Sequence, residues 1–485
     1  MRSVNSVLVV GGGTAGLISA IILKKKLDIQ IDVVHSKNIG IIGVGEGSTE
    51  HWKEFMKYVG IDQYALIKET DATYKSGVMF ENWGLKDYLH GIGSPLDSKT
   101  GQYHYVYAHQ IAKADPQLTP KIFWKNRIDK RFLNNPTAYP FNQFHFNTHK
   151  LNDFLIKIAM QLGINIIEDE IKEVNLDSQG YIDNLTGEYF DYKYDFYIDS
   201  TGFKRMLITK LGGKWKSYGQ YLKMKSAITF QTEDEEEYNL WTLARAMDYG
   251  WMFKIPVWGR HGNGYIFDSD YIDATQAQQE VENYLGKKIV VNKQFNFDPG
   301  CLEEVWIKNC CAIGVSANFV EPLEASSIGT SIQQSFLLMH RLSKFDNNTI
   351  TSYNKSVNDI MENIRDFVAL HYMTDKDDTM FWKDLKSIEI PNTLKHKLKT
   401  WKNKLPIKED FNEQSDYVLF TDPNFILVME GLNLFNRESI KDEYARLNPL
   451  IRSEAEQIAL NHFNIDKNLI TFSHKEFLKL VRDNF

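Results

Sequence analysis

Gly11, Gly13 and Gly16 stand at GxGxxG spacing near the start of the chain, between the β-branched run Val7 to Val10 and an apolar stretch from Leu17 to Lys26. Glycines so spaced hold phosphate. The first permits a tight turn, the second lets the backbone approach a pyrophosphate, and the third lets a helix pack close to a strand. Thr14 and Ala15 complete the loop, and the free N–H groups of the helix start face the phosphates. A strand over 7–10, a loop over 11–16, a helix over 17–26 and a second strand over 29–34 make a β-loop-α-β unit of the right length for a nucleotide. The acid expected at the end of that second strand to hold ribose is missing. His35 and Ser36 stand there, and either can hydrogen-bond a hydroxyl.

The nucleotide is read as FAD rather than NAD. There is one such glycine loop, and Ile198-Asp199-Ser200-Thr201-Gly202 reads as a strand ending in a small-residue turn, as in two-layer flavoproteins. Ala312-Ile313-Gly314 is followed by Glu321-Pro322-Leu323. A proline there can start a helix whose N–H groups point at an anionic flavin ring.

Several motifs in one order then make the chain resemble the flavin-dependent tryptophan halogenase family, from residue 4 to about residue 405. Gly11 to Gly16 opens the match, and Gly43-Val44-Gly45-Glu46 follows the second strand. Ala72-Thr73-Tyr74-Lys75 precedes Phe80-Glu81-Asn82-Trp83. Gly250 to Pro256 is similar to the family's tryptophan-rich WxWxIP signature, and Asn318 to Glu324 matches its active-site segment. Ile364 to Phe367, His371-Tyr372 and Phe381-Trp382 match its helical region.

The resemblance implies a reaction. Reduced FAD (FADH2) and O2 give a flavin hydroperoxide, a halide ion attacks it, and the resulting hypohalous acid reaches a lysine that presents it to an aromatic ring. By the family pattern that lysine is Lys75, whose burial would favour the neutral amine. Without the motif it reads as a surface lysine. Glu324 is the second catalytic residue, orienting the oxidant or taking the ring proton; a helix start or an ion pair is its structural alternative. The backbone N–H groups of Ser326 and Ser327 are the halide candidates. The family often has Thr-Gly there, and a serine where this chain has Ala325. Trp251 and Phe253 stand between flavin and substrate, or form a plain core pair in a strand; Phe253 replaces the second signature tryptophan. Ser36, Ile39, Gly47, Ile171 and Ile328 fall where the family touches FAD. A flavin monooxygenase that hydroxylates an aromatic ring is the alternative activity, and a halogenase-like fold kept as a flavin-binding module is a third. No second nucleotide loop offers NADH a site, so a separate reductase is expected to supply reduced FAD.

The elements that must position these residues read as an α/β fold. It is a two-layer FAD/NAD(P)-binding, Rossmann-like flavoprotein of monooxygenase type with a mainly helical C-terminal substrate region. The expected division is an FAD-binding domain with an inserted sheet region over 1–340 and a helical substrate-side region over 341–485. Residues 164–174 with 181–185 read as a strand pair and 196–199 as a further strand. The aromatic alternation over 241–271 reads as sheet. Helices are expected at 357–372 and 453–463, with a loop at 346–348. Beyond about 405, Asp422, Asn424, Glu430 and Asn433 are polar residues that ordinary surface also explains.

Bulk properties set limits. The 485 residues suit a large domain plus a smaller one. A net charge of -7 without a basic stripe argues against nucleic acid. Aromatic residues, 13% of the chain, fill a core or line a pocket for a small aromatic substrate. Cys301, Cys310 and Cys311 lack disulfide or metal spacing, which points to no metal and a reducing, cytoplasmic setting. The N-terminal apolar run is too short for a signal peptide, and no run is long enough to span a membrane. Oligomeric state, a homo-oligomer included, is left open.

Overall fold

The computed structural model describes residues 1–40, 46–91, 103–113, 118–119, 124–133, 143–411, 414–463 and 469–484. Gly43, Val44 and Gly45 of the sequence motif lie outside them, as does the side chain of Glu46.

Two sheets carry the molecule. The first has six strands in the order Asn165–Glu168, Gln30–His35, Ser6–Val10, Phe196–Asp199, Cys310–Ala312 and Trp306–Ile307. All neighbours are parallel except the last pair. Val7, Leu8 and Val9 are fully buried, because a central parallel strand is covered on both faces. The helix Thr14–Lys26 follows and packs against the helices Thr148–Gln161 and Ser326–Met339. It begins three residues before the expected Leu17, since Gly13 already stands at the N-cap in extended geometry.

The second sheet has seven strands, in the order Val291–Asn296, Ser226–Glu233, Arg260–Phe267, Gly250–Val257, Thr242–Met247, Gly77–Glu81 and Tyr88–Gly91. The expected sheet over 241–271 is its middle. A small three-stranded sheet, Glu46–Gly47, Gln143–Phe146 and Thr73–Lys75, joins the glycine-loop side of the molecule to this large sheet.

Three sequence expectations change. The single strand over 164–174 is two: Asn165–Glu168 joins the parallel sheet, and Ile171–Leu176 pairs antiparallel with Ile182–Gly187. Asp169, between them, ties down the turn by accepting the backbone N–H groups of Glu188 and Phe190. Residues 347 and 348 belong to a helix, not a loop. Asp346 caps it by accepting the Thr349 N–H at 2.9 Å, so the helix runs over Asn347–His371. Pro322 starts no helix. The chain turns left-handed at Ala325 (φ 52°) and the helix begins at Ser326.

The last helices pack back on the sheets. Asn363 Nδ2 donates to the Phe420 carbonyl at 2.8 Å, and the helix Asp422–Gly431 covers the strand Tyr88–Gly91. The helix Pro449–Phe463 contains the expected 453–463 segment. Among the described residues no helix is long and apolar enough to cross a membrane, and no three His, Cys, Asp or Glu side chains gather as a metal site.

Candidate active site

The glycine loop opens onto a cleft of about 720 Å³. Gly11, Gly13, Thr14, Ala15, Ser36, Ile39, Ile171, Ser327 and Ile328 line it. Gly11 has φ +114°, and a Cβ on it would lie 2.1 Å from the Ser200 carbonyl oxygen. A Cβ on Gly16 would lie 2.1 Å from the Gly11 carbonyl oxygen, so Gly16 packs the helix onto the strand and stays out of the cleft. Among the described residues nothing lies within 4 Å of a Cβ on Gly13, whose bare face is left for a ligand. His35 and Ser36 stand at the end of the second strand in the same cleft, with Glu170, from the turn after the neighbouring strand Asn165–Glu168, beside Ser36. Asn152, which carried no sequence signal, donates to the Gly12 carbonyl at 3.0 Å, while its buried Oδ1 has no partner among the described residues. Ser200 and Thr201 close the far wall. An open glycine face, the N–H groups of a helix start and an orphaned amide oxygen fit a dinucleotide.

Lys75 lies in a second place, fully buried at the end of the strand Thr73–Lys75. Its amine donates to the Ser48 carbonyl at 2.8 Å. Burial lowers its pKa to about 8, against the pull of Glu324 and Glu50. Gly47 is not in the cleft. A Cβ there would stand 3.5 Å from the Lys75 amine, 3.3 Å from the Ala325 Cβ and 3.7 Å from the Thr242 hydroxyl. The bare face of Gly47 is where the lysine and the segment following Glu324 converge.

Glu324 is buried between two histidines. Its Oε1 lies 2.9 Å from His90 Nδ1 and 2.9 Å from His371 Nε2. The network sets the protons. Asn424 Oδ1 accepts the Thr421 N–H, so Asn424 Nδ2 donates to His90 Nε2 at 3.2 Å and His90 donates from Nδ1 to Glu324. His371 Nδ1 must donate to the Phe367 carbonyl at 2.8 Å. With Glu324 ionised, the proton between it and His371 belongs to Nε2. Burial alone would raise the Glu324 carboxyl, yet the two histidines that donate to it hold it down to about 2. Its Oε2 is buried without a partner among the described residues.

Trp251 and Phe253 project from the same strand with ring centroids 6.1 Å apart. Trp251 packs edge-on against Trp83, and its indole N–H donates to Glu321 Oε2 at 2.7 Å. Phe253 fits where Gly264 has no side chain, since a Cβ there would be 2.4 Å from the ring. Ser326, buried, and Ser327 form the first turn of their helix. Helix starts leave N–H groups free of intrahelical partners.

A family model described as tryptophan halogenase matches residues 6–445. The chain belongs to this family. It is therefore a flavin-dependent halogenase, an oxidoreductase of the class that halogenates aromatic substrates with FAD, O2 and halide. The halogenase is 28% identical over 457 residues to the tryptophan 6-halogenase SttH of Streptomyces toxytricini, covering 84% of this chain and 86% of that one. It is 26% identical over 480 residues to the tryptophan 7-halogenase RebH of Lentzea aerocolonigenes, covering 89% and 90%. Among solved structures, the flavin-dependent halogenase Xcc4156 of Xanthomonas campestris superposes with a TM-score of 0.82 at 29% identity, covering 99% of this chain and 98% of that one. A tryptophan halogenase of Shewanella frigidimarina shares the fold with a TM-score of 0.89 at 24% identity, covering 100% and 98%.

Of the residues gathered around Glu324 and Trp251, His371, Tyr372 and Glu321 were motif residues without a role in the sequence. His90 carried no signal, because its partners lie 234 and 334 residues away. Asn424 is not surface but His90's partner, and Glu430 is paired with Arg437 and Lys86.

Proposed function

We propose that this halogenase acts on an electron-rich ring of indole or phenol type, with Lys75 presenting hypohalous acid and Glu324 receiving the ring proton. The supporting observation is the meeting of the Lys75 amine and Ala325, the residue after Glu324, at the bare face of Gly47. Reduced FAD with O2 supplies the oxidising power that turns halide into hypohalous acid. A buried amine shifted down to about 8 is partly neutral near pH 7 to 8, the form that accepts a hydrogen bond from hypohalous acid or forms a haloamine. Glu324, held as a carboxylate, offers the unpartnered Oε2 to a proton leaving the ring.

The backbone N–H groups of Ser326 and Ser327 hold the halide, with Ser327 facing the cleft. Gly11, Gly13, Thr14, Ala15, Ser36, Ile39, Ile171 and Ile328 hold FAD in that cleft. Trp251 and Phe253 keep substrate from the flavin. A separate reductase supplies reduced FAD. The relatives named for tryptophan put an indole first among substrates.

The test is mass spectrometry of reactions with a panel of indoles and phenols, FAD, a reductase with NADH, and chloride, bromide or iodide in separate vessels. A halide-specific mass gain that vanishes in Lys75→Ala supports the reading. A gain of one oxygen independent of halide moves the chain to the aromatic monooxygenases. NADH oxidation by the chain alone at enzymatic rates removes the separate reductase.

A further inference from the structure

Trp251 is held by a carboxylate to which no role has been given. Its indole N–H is the one polar atom of a ring 1% exposed, and it donates to Glu321 Oε2 at 2.7 Å. The Tyr372 hydroxyl donates to the same oxygen at 2.6 Å. Glu321 Oε1 is buried without a partner among the described residues. A glutamine could accept the same two bonds without an ionisable group in the core. A buried carboxylate that no cation offsets is costly to ionise, and such groups gather where they serve function.

We propose that Glu321 is a positioning residue that locks the Trp251 indole in one orientation and so keeps the oxidant on the path to halide and Lys75. The proposal rests on the reading of Trp251 as part of a wall between flavin and substrate. An indole beside that wall is itself an electron-rich ring, so its orientation decides whether it bars the path or lets oxidant escape. One oxygen accepting both Trp251 and Tyr372 ties the strand Gly250–Val257 to the end of the helix Asn347–His371. Burial raises the Glu321 carboxyl to about 7, against the bonds from Tyr372 and Trp251, so the grip strengthens with ionisation in the neutral range. Among the described residues, the titratable groups nearby are Tyr372 and His371 at the helix end, Glu324 in the same loop and Asp268, which acts on Tyr372. Lys376 lies over the Trp382 ring, and Trp83 and Trp382 are neutral.

The test is fluorine NMR of the full chain labelled with 5-fluorotryptophan, the Trp251 resonance being assigned by its loss in Trp251→Phe. The expected resonance is single and moves with pH around neutrality. In Glu321→Gln it stays single and no longer moves. In Tyr372→Phe, which removes a donor to the ionised form, the midpoint rises. In Glu321→Leu the resonance broadens or splits, and halogenated product per reduced FAD consumed falls threefold or more as hydrogen peroxide rises. A Trp251 resonance that is pH-independent in the unaltered chain, or unchanged in Glu321→Gln, overturns the proposal. Absence of halogenated product from the unaltered chain would sink the proposed function instead, and the resonance would still decide the positioning role.

Discussion

Glu321 and Glu324 stand three residues apart in one loop and grip consecutive residues of one helix end, Tyr372 and His371. Trp83 bonds to the same end, its indole N–H donating to the His371 carbonyl at 2.7 Å. The two carboxyls share burial and differ in partners. Glu321 meets two neutral donors and rises to about 7, while Glu324 meets two histidines and falls to about 2. Environments that push paired carboxyls apart assign one to the proton-holding and the other to the ionised state.

Stability should respond to these two groups with opposite sign. The raised carboxyl of Glu321 contributes stability that is fully present below its unfolded value of 4.5 and lost as pH rises through about 7. Glu321→Gln should therefore gain on the unaltered chain between pH 5 and pH 8, by up to about 3 kcal/mol at 1.36 kcal/mol per unit. The depressed carboxyl of Glu324 contributes stability present above 4.5 and lost as pH falls toward about 2. Denaturant melts across pH measure both slopes; parallel curves for Glu321→Gln and the unaltered chain contradict the assignment.

Product formation should rise with pH up to about 8 and then level, because burial sets the Lys75 amine there and the neutral form is the one used. Below that point the neutral fraction falls about tenfold per unit. The measurement is single-turnover halogenation with pre-reduced FAD, which removes the reductase from the profile. A rate that falls between pH 6 and pH 8 would assign the ammonium form instead.

Gly47→Ala tests the convergence of the lysine and the Glu324 segment. Its methyl would meet the Ala325 Cβ at 3.3 Å and the Lys75 amine at 3.5 Å, filling the space an oxidant needs. Halogenation should fall about tenfold, roughly 1.4 kcal/mol of barrier, while FAD affinity holds. Equal losses in both would return Gly47 to the FAD contacts.

Asn152→Ala should weaken FAD about tenfold, the effect of one lost polar contact of ~1 to 2 kcal/mol. Asn152 braces the Gly12 carbonyl and offers an Oδ1 that has no partner among the described residues. Quenching of flavin fluorescence on binding reads this without turnover. Unchanged affinity would leave Asn152 as a brace alone.

The glycine loop was legible because its chemistry is local. Gly11, Gly13 and Gly16 must lie within one turn and one helix start, so spacing alone placed them beside the strand at 6–10. Lys75 and Glu324 were legible through motifs. Their surroundings were not, since the two histidines that bond Glu324 come from residues 90 and 371. The end of the second strand was half legible: it runs to His35, one residue past the expected 34, and only folding brought Glu170 beside Ser36.

By itself, then, the sequence determined the dinucleotide unit and the family, and it singled out Lys75 and Glu324 as the catalytic candidates, because short-range backbone geometry and motif order suffice for that. Only the tertiary structure decided that Lys75 is buried and shifted, that Gly47 lies at the lysine and not in the cleft, and that Glu321 and Glu324 carry opposite shifts. The physical reason is that desolvation and hydrogen bonding depend on what packs around a group, and here those neighbours come from elements far apart in the chain.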